Sequence, residues 1–204
     1  MRIDFICISQ IQKALHLYPD GIFGALTEER VKLFQAEHGL KVDGIVGTAT
    51  LAKLLPSVTA SMLKLKKSKR RIDEIIVHCT ATPEGRDYSV AEIRRWHLQR
   101  GFSDIGYHYV IHPNGGIEPG RDVDLSGAHC TSHNAHSIGV VYVGGVAKDG
   151  KTPKDTRTEA QKATLLSLLM DLKKLYPSAT IHGHRDYANK ACPSFDATKE
   201  YMKF

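Results

Sequence analysis

The spacing of apolar residues changes partway along the chain, and the change divides it. Near the start, Ile8, Ile11, Leu15 and Leu17 recur at helical intervals and predict a short helix. After Thr27, the residues Val31, Phe34 and Gln35 share one face of a second helix that stops at Gly39. Leu51, Leu54 and Leu55 predict a third. Between these helices DGIFGALT (20–27) recurs as DGIVGTAT (43–50). Each copy reads Asp-Gly-Ile-x-Gly, a tight turn that draws on glycine's freedom at positive φ, and each reaches a Thr suited to cap a helix. A three-helix unit over residues 1–56 is expected, small but large enough to fold independently.

From Ile72 onward strand and helix patterns alternate. DEIIVHC (73–79) and SIGVVYVGG (137–145) are continuous apolar runs, as buried strands require. GYHYVIHP (106–113) alternates like a strand, NGG then begins a turn, and ATIHGH (179–184) is the last strand candidate. Ser89 with Glu92, and Thr158 with Gln161, form capping boxes at the heads of two helices, the second running from Thr158 to Tyr176 and ended by Pro177. Residues 72–204 therefore read as α/β or α+β, a central sheet covered by helices.

Charge adds a third segment. The net charge of +6 is matched by Lys64, Lys66, Lys67, Lys69, Arg70 and Arg71, which lie in a stretch without acids. Residues 57–71 read as a basic linker, either solvated or able to meet an anionic surface. No motif specifies a nucleic acid, and no run approaches the roughly 18 apolar residues of a membrane span. The first residues lack a signal-peptide pattern, since Asp4 interrupts a short apolar stretch. Synthesis in the cytoplasm is the expectation. The four cysteines, Cys7, Cys79, Cys130 and Cys192, form no CxxC pair and predict no disulfide framework.

The candidate chemistry lies in the histidines and one cysteine. His78 ends a strand, where a side chain can project into a cleft, and His184 and Cys192 lie just past another in HGHRDYANKACPSF. Two imidazoles and a thiolate suit Zn²⁺ with a fourth position left for water. Spacing does not separate His184 from His182, which shares its face of the strand. Cys79 adjoins His78 on the opposite face and reads as core filling.

Two resemblances sharpen this. IQKAL, DGIFG, VKLFQAEHGLKVDGIVG and TLAKLL resemble the peptidoglycan-binding domain type 1 of wall hydrolases. IIVHCTAT, IRRWHLQRGFSDIGYHYVI, NGGIEPGR, GAHCTSHNAHSIGVVYVGG and GHRDYANKACPSF follow in the order of the type 2 N-acetylmuramoyl-L-alanine amidases and cover most of residues 72–204. That resemblance implies a mixed sheet flanked by helices and zinc held by His78, His184 and Cys192. It also implies catalytic roles for Tyr107 and Lys190, with Tyr109 as a minor rival to Tyr107. Lys190 shares a face with Cys192 in an extended segment and can stabilise an oxyanion. His129 is a candidate to line the cleft and touch substrate, while His97 and His108 read as packing or supporting residues. The implied partner is peptidoglycan, cleaved by a monomeric phage lysin that is made in the host cytoplasm and reaches the wall after the membrane is permeabilised. The alternative is a recognition protein that binds peptidoglycan without cleaving it. A wall glycosidase is disfavoured, because no pair of catalytic carboxylates is identifiable.

Overall fold

The computed structural model describes residues 5–46, 50, 53–54 and 65–202, with side chains from Ile8 onward. Its contacts divide into two compact units, Met1–Leu63 and Lys64–Phe204.

In the first unit, helices α1 (Phe5–Ala14) and α2 (Ala25–Glu37) enclose Ile11, Leu15, Val31, Val46 and Leu54, with Phe23 and Phe34 packed against them. The two repeated turns are built by the same bonds. Gln12 Nε2 donates to Asp20 Oδ1 (2.7 Å), the Ile22 carbonyl (3.0 Å) and Thr27 Oγ1 (3.1 Å), and its Oε1 accepts the Gly21 N–H. Gln35 repeats this with Asp43 (3.0 Å), Ile45 (2.9 Å), Thr50 (3.0 Å) and the Gly44 N–H. Gly21 and Gly44 sit at φ 75° and 71°, as the turns require. One expectation changes here. Thr27 does not cap α2, which starts at Ala25 after Gly24; its hydroxyl is used by Gln12. The third helix expected around Leu51, Leu54 and Leu55 lies largely outside the described residues, of which Lys53 and Leu54 are helical.

The second unit is built on a five-stranded mixed sheet. Its strands are β1 (Glu74–Cys79), β3 (Tyr109–Ile111), β4 (Ile117–Pro119), β5 (Ser137–Tyr142) and β7 (Thr180–Gly183), in the order β4-β3-β5-β1-β7. Only β4 runs antiparallel. Short strands β2 (Thr82–Pro83) and β6 (Gly145–Val146) pair separately. In β1 every residue from Ile75 to Cys79 is buried, as a parallel strand covered on both faces must be.

Helix α3 (Val90–Gln99) begins at the Ser89–Glu92 capping box and sets Val90 and Ile93 against Ile105, Val110, Val141 and Val143. Helix α4 (Glu159–Leu175) begins at the Thr158–Gln161 box and buries Leu165, Leu168, Leu169 and Leu172. Gln161 also donates to the Ile111 and Val143 carbonyls, which ties α4 to the sheet. A last helix, α5 (Ala197–Tyr201), is capped by Asp196.

The strand expected over 106–113 is shorter than its pattern. The backbone carbonyls of Gly106, Tyr107 and His108 pair with Ala128, Arg121 and Gly120 of a following loop, so β3 starts only at Tyr109.

Residues 65–71 pack onto this unit. Ser68 is buried, with its N–H on the Tyr176 hydroxyl and its own hydroxyl on the Val123 carbonyl. Lys66 pairs with Asp122 and Asp124 at 2.9 and 2.7 Å. Arg70 donates to the carbonyls of Val123, Asn134, Ala135 and Ser137.

Candidate functional site

The carboxyl ends of β1 and β7 lie side by side, because Val77 pairs with Gly183. His78 follows Val77 on β1, and His184 follows Gly183 in a short 3₁₀ turn (His184–Asp186). The segment returning toward α5 brings Cys192 to the same place, where the Arg185 N–H donates to the Cys192 carbonyl (2.7 Å) and the Tyr142 hydroxyl to that of Pro193 (2.7 Å). One donor atom from each of His78, His184 and Cys192 lies within 4.8 Å of the others.

Each of the three is oriented from behind. His78 is 1% exposed, turns Nδ1 toward Cys192 Sγ (3.7 Å) and places Nε2 3.0 Å from Nδ1 of His129. His129 is buried in turn, its Nε2 3.3 Å from Ser137 Oγ. With Nδ1 of His78 free to face a cation, its Nε2–H donates to His129, and the His129 Nε2–H donates to Ser137. The Cys79 N–H donates to Cys192 Sγ at 3.3 Å. The Cys79 side chain fills space against Gly145, where an added Cβ would lie 2.4 Å from its sulfur.

Burial disfavours protonation of the imidazoles. It is the first cause of the lowered pKa of His78, His129 and His184, and neighbouring His rings and Lys190 add to it for His78. These rings are neutral at neutral pH, which a ligand requires. Hydrogen bonding to Cys79 and then burial push the Cys192 thiol up, while the same bond draws Cys79 down to about 7. Only one of the two sulfurs ionises readily. A cation held with His78 and His184 places that charge on Cys192, the sulfur facing them.

Tyr107 is half-buried beside His78, with ring centroids 5.2 Å apart, and its other side rests 5.3 Å from His97. Its hydroxyl has no hydrogen-bond partner among the described residues, and burial raises its pKa. Tyr109 is buried on β3, where Tyr176 and Asp122 act on it. The two tyrosines are thus separated, and only Tyr107 borders the cluster. Lys190 is exposed two residues before Cys192, and its charge acts on His78, His184 and Cys192. His182 stays outside, its ring nitrogens on Thr180 Oγ1 (2.9 Å) and near Asp186 (3.8 Å).

His97 and His108, read from the sequence as packing or supporting residues, bond to backbone groups behind the cluster. His97 Nδ1 accepts the Gly106 N–H at 2.8 Å. His108 Nδ1 accepts the Gly139 N–H at 2.9 Å, so its Nε2–H donates to the Leu125 carbonyl at 3.1 Å. The Arg70 guanidinium, 3.2 Å from that same nitrogen, helps keep His108 neutral. Gly139 has no side chain where His129 needs the room; an added Cβ would lie 2.5 Å from the ring.

Residues 68–195 match the family model for N-acetylmuramoyl-L-alanine amidase, and residues 8–54 match that for a peptidoglycan binding domain. An endolysin of Klebsiella phage KP32 is 43% identical over 143 residues, covering 70% of this chain and 94% of that protein. The endolysin of Escherichia phage T7 is 42% identical over 137 residues, covering 67% and 90%. Among solved structures, the N-acetylmuramoyl-L-alanine amidase LysC from Clostridium intestinale superposes with a TM-score of 0.56 at 27% identity, over 66% of this chain and 84% of that one.

Proposed function

We propose, given that this chain belongs to the N-acetylmuramoyl-L-alanine amidase family, that His78, His184 and Cys192 hold the zinc ion with which it cleaves peptidoglycan. The bond hydrolysed is the amide between the lactyl group of N-acetylmuramic acid and L-alanine of the stem peptide. The observation that carries the zinc assignment is the convergence of three donors within 4.8 Å at the ends of two adjacent parallel strands. The donor set fits the ion. Two neutral imidazoles and a thiolate are borderline-to-soft ligands, and three protein donors leave one position open, as catalytic zinc sites do.

When bound, zinc would act as a Lewis acid that lowers the pKa of a bound water to about 7 and polarises a carbonyl. The chain's own groups do the rest. The Lys190 ammonium stabilises the negative oxygen that develops on the scissile carbonyl. The Tyr107 phenol is protonated at neutral pH, and its pKa is raised further from the ordinary value, so it acts as a hydrogen-bond donor to the reacting oxygen rather than as a base. His129 holds His78 in the tautomer that turns Nδ1 to the site. Its burial behind His78 gives it a positioning role in place of direct substrate contact.

The first unit belongs to the polymer. A linked wall-binding unit raises the effective concentration of the catalytic unit at the surface without touching the scissile bond. Removing residues 1–56 lowers lysis of whole walls more than cleavage of a small muropeptide, and equal losses would reject that role. The enzyme acts as a monomeric phage lysin, made in the host cytoplasm and given access to the wall when the membrane is breached.

Digestion of purified peptidoglycan with mass spectrometry of the products tests the whole reading. Intact glycan strands and peptides beginning with free L-alanine, abolished by a chelator and restored by Zn²⁺, are expected. New reducing ends would place the cut elsewhere. Tight wall binding without products would favour a recognition protein.

A further inference from the structure

We propose that Glu74, His133 and His136 form a second site for a divalent transition metal of the zinc class, at the far end of β1 from His78. Glu74 opens β1 and His78 lies four residues on, about 13 Å away at the rise of an extended strand. One donor atom from each of the three residues lies within 4.8 Å of the others. No residue is shared with the His78 cluster.

The backbone builds the arrangement in advance. His133 and His136 stand three residues apart at a 3₁₀ turn (Asn134–His136), where side chains at that spacing eclipse on one face. Glu74 pairs in register with Ser137, the residue after His136, which brings its carboxylate to the turn. The turn is fixed without the three donors. Asn134 Oδ1 accepts the N–H groups of His129 and Cys130 at 2.8 and 2.9 Å, and Arg70 holds the Asn134 and Ala135 carbonyls at 3.1 Å.

The donors themselves are aimed. The Tyr187 hydroxyl donates to Glu74 Oε1 at 2.8 Å, which leaves Oε2 facing His133 Nδ1 at 2.8 Å. The Tyr187 ring lies against that of His133, centroids 3.9 Å apart. A simple histidine–carboxylate pair explains Glu74 and His133 but not His136, whose side chain makes no hydrogen bond among the described residues. All three are half-buried, so water can complete a coordination shell. Two imidazoles and one carboxylate select zinc-like ions over magnesium or calcium, which prefer oxygen alone. A metal here staples the start of β1 to the loop that carries His129.

Equilibrium dialysis of the full chain against buffered free Zn²⁺, with elemental analysis, counts the sites. The native protein takes up two equivalents; His136→Ala and Glu74→Gln each take up one, and so does Cys192→Ser. In the cobalt form, the thiolate charge-transfer band belongs to the Cys192 site alone and keeps full intensity in His136→Ala and Glu74→Gln. A native protein with one equivalent, lost in Cys192→Ser, overturns the second site. So does uptake of two equivalents by both His136→Ala and Glu74→Gln. This inference is independent of the catalytic metal. One native equivalent that survives Cys192→Ser but not His136→Ala supports the second site and rejects the catalytic one.

Discussion

The Nε2 atom of His78 lies 3.0 Å from Nδ1 of His129, and His129 reaches on to Ser137 at 3.3 Å. One ring nitrogen of a strand residue faces the candidate metal cluster while the other is held by a buried partner. Such outer partners set ligand orientation and are worth about 10–100-fold in metal affinity. His129→Ala is expected to weaken zinc binding by that factor, measured by competition with a chromophoric chelator. Unchanged affinity in the folded variant would remove His129 from the positioning role.

Lys190 and Tyr107 border the cluster without belonging to it, so their loss separates chemistry from metal binding. Lys190→Ala and Tyr107→Phe are each expected to keep native zinc content and melting temperature. Turnover of a muropeptide falls by roughly 10²–10³, the usual cost of one oxyanion donor. Near-native turnover in either variant rejects its assignment, and lost zinc would show that the residue supports the metal instead.

His108 makes stability depend on pH. Burial draws its pKa from 6.5 down to about 4, so the unfolded chain binds the proton more readily than the folded one. Its contribution is fully present above the unfolded value and is lost as pH falls through 6.5 toward 4. Between pH 7 and pH 5 the loss is about 2 kcal/mol for this group alone. Denaturant unfolding of the chelated protein should show the slope, and His108→Asn should flatten it. An equally steep profile in the variant would assign the pH dependence to other groups.

Arg70 decides where the catalytic unit begins. Its guanidinium binds four carbonyls, one of them shared with the Ser68 hydroxyl and two in the turn below His129. A chain truncated to residues 64–204 should unfold at the same denaturant concentration as the catalytic unit of the full protein. One truncated to 72–204 should lose about 2–4 kcal/mol, from several charge-assisted hydrogen bonds and the buried Ser68. Equal midpoints would return residues 65–71 to the status of a tether.

These contrasts mark what the sequence made legible. Both capping boxes and the buried strands follow from local patterns that tertiary packing leaves intact, whereas spacing left His182 beside His184 and only the family resemblance singled out His78, His184 and Cys192. Arg70 could not be read this way, because a basic run on a flexible connection and one whose guanidinium meets four carbonyls have the same composition. Gln12 and Gln35 repeat at the same offset as the turns they close, yet a buried glutamine gives no period of its own. The short β3 escaped because Tyr107 and His108 alternate like strand residues while their carbonyls pair with a loop. His129 sits far from His78 in sequence, and only the fold shows the two rings meeting.

Gly139 lies in the middle of β5, paired with Ile76, where a side chain would normally add to the core. A methyl group there would meet His129, and the disturbance would pass through one imidazole to the next and reach the cluster. The position behaves as a keyhole cut in the sheet: the reactive end of β1 is tuned from behind by an omission. Gly139→Ala is therefore expected to weaken Zn²⁺ uptake at the His78, His184 and Cys192 cluster, although Gly139 is not among its donors.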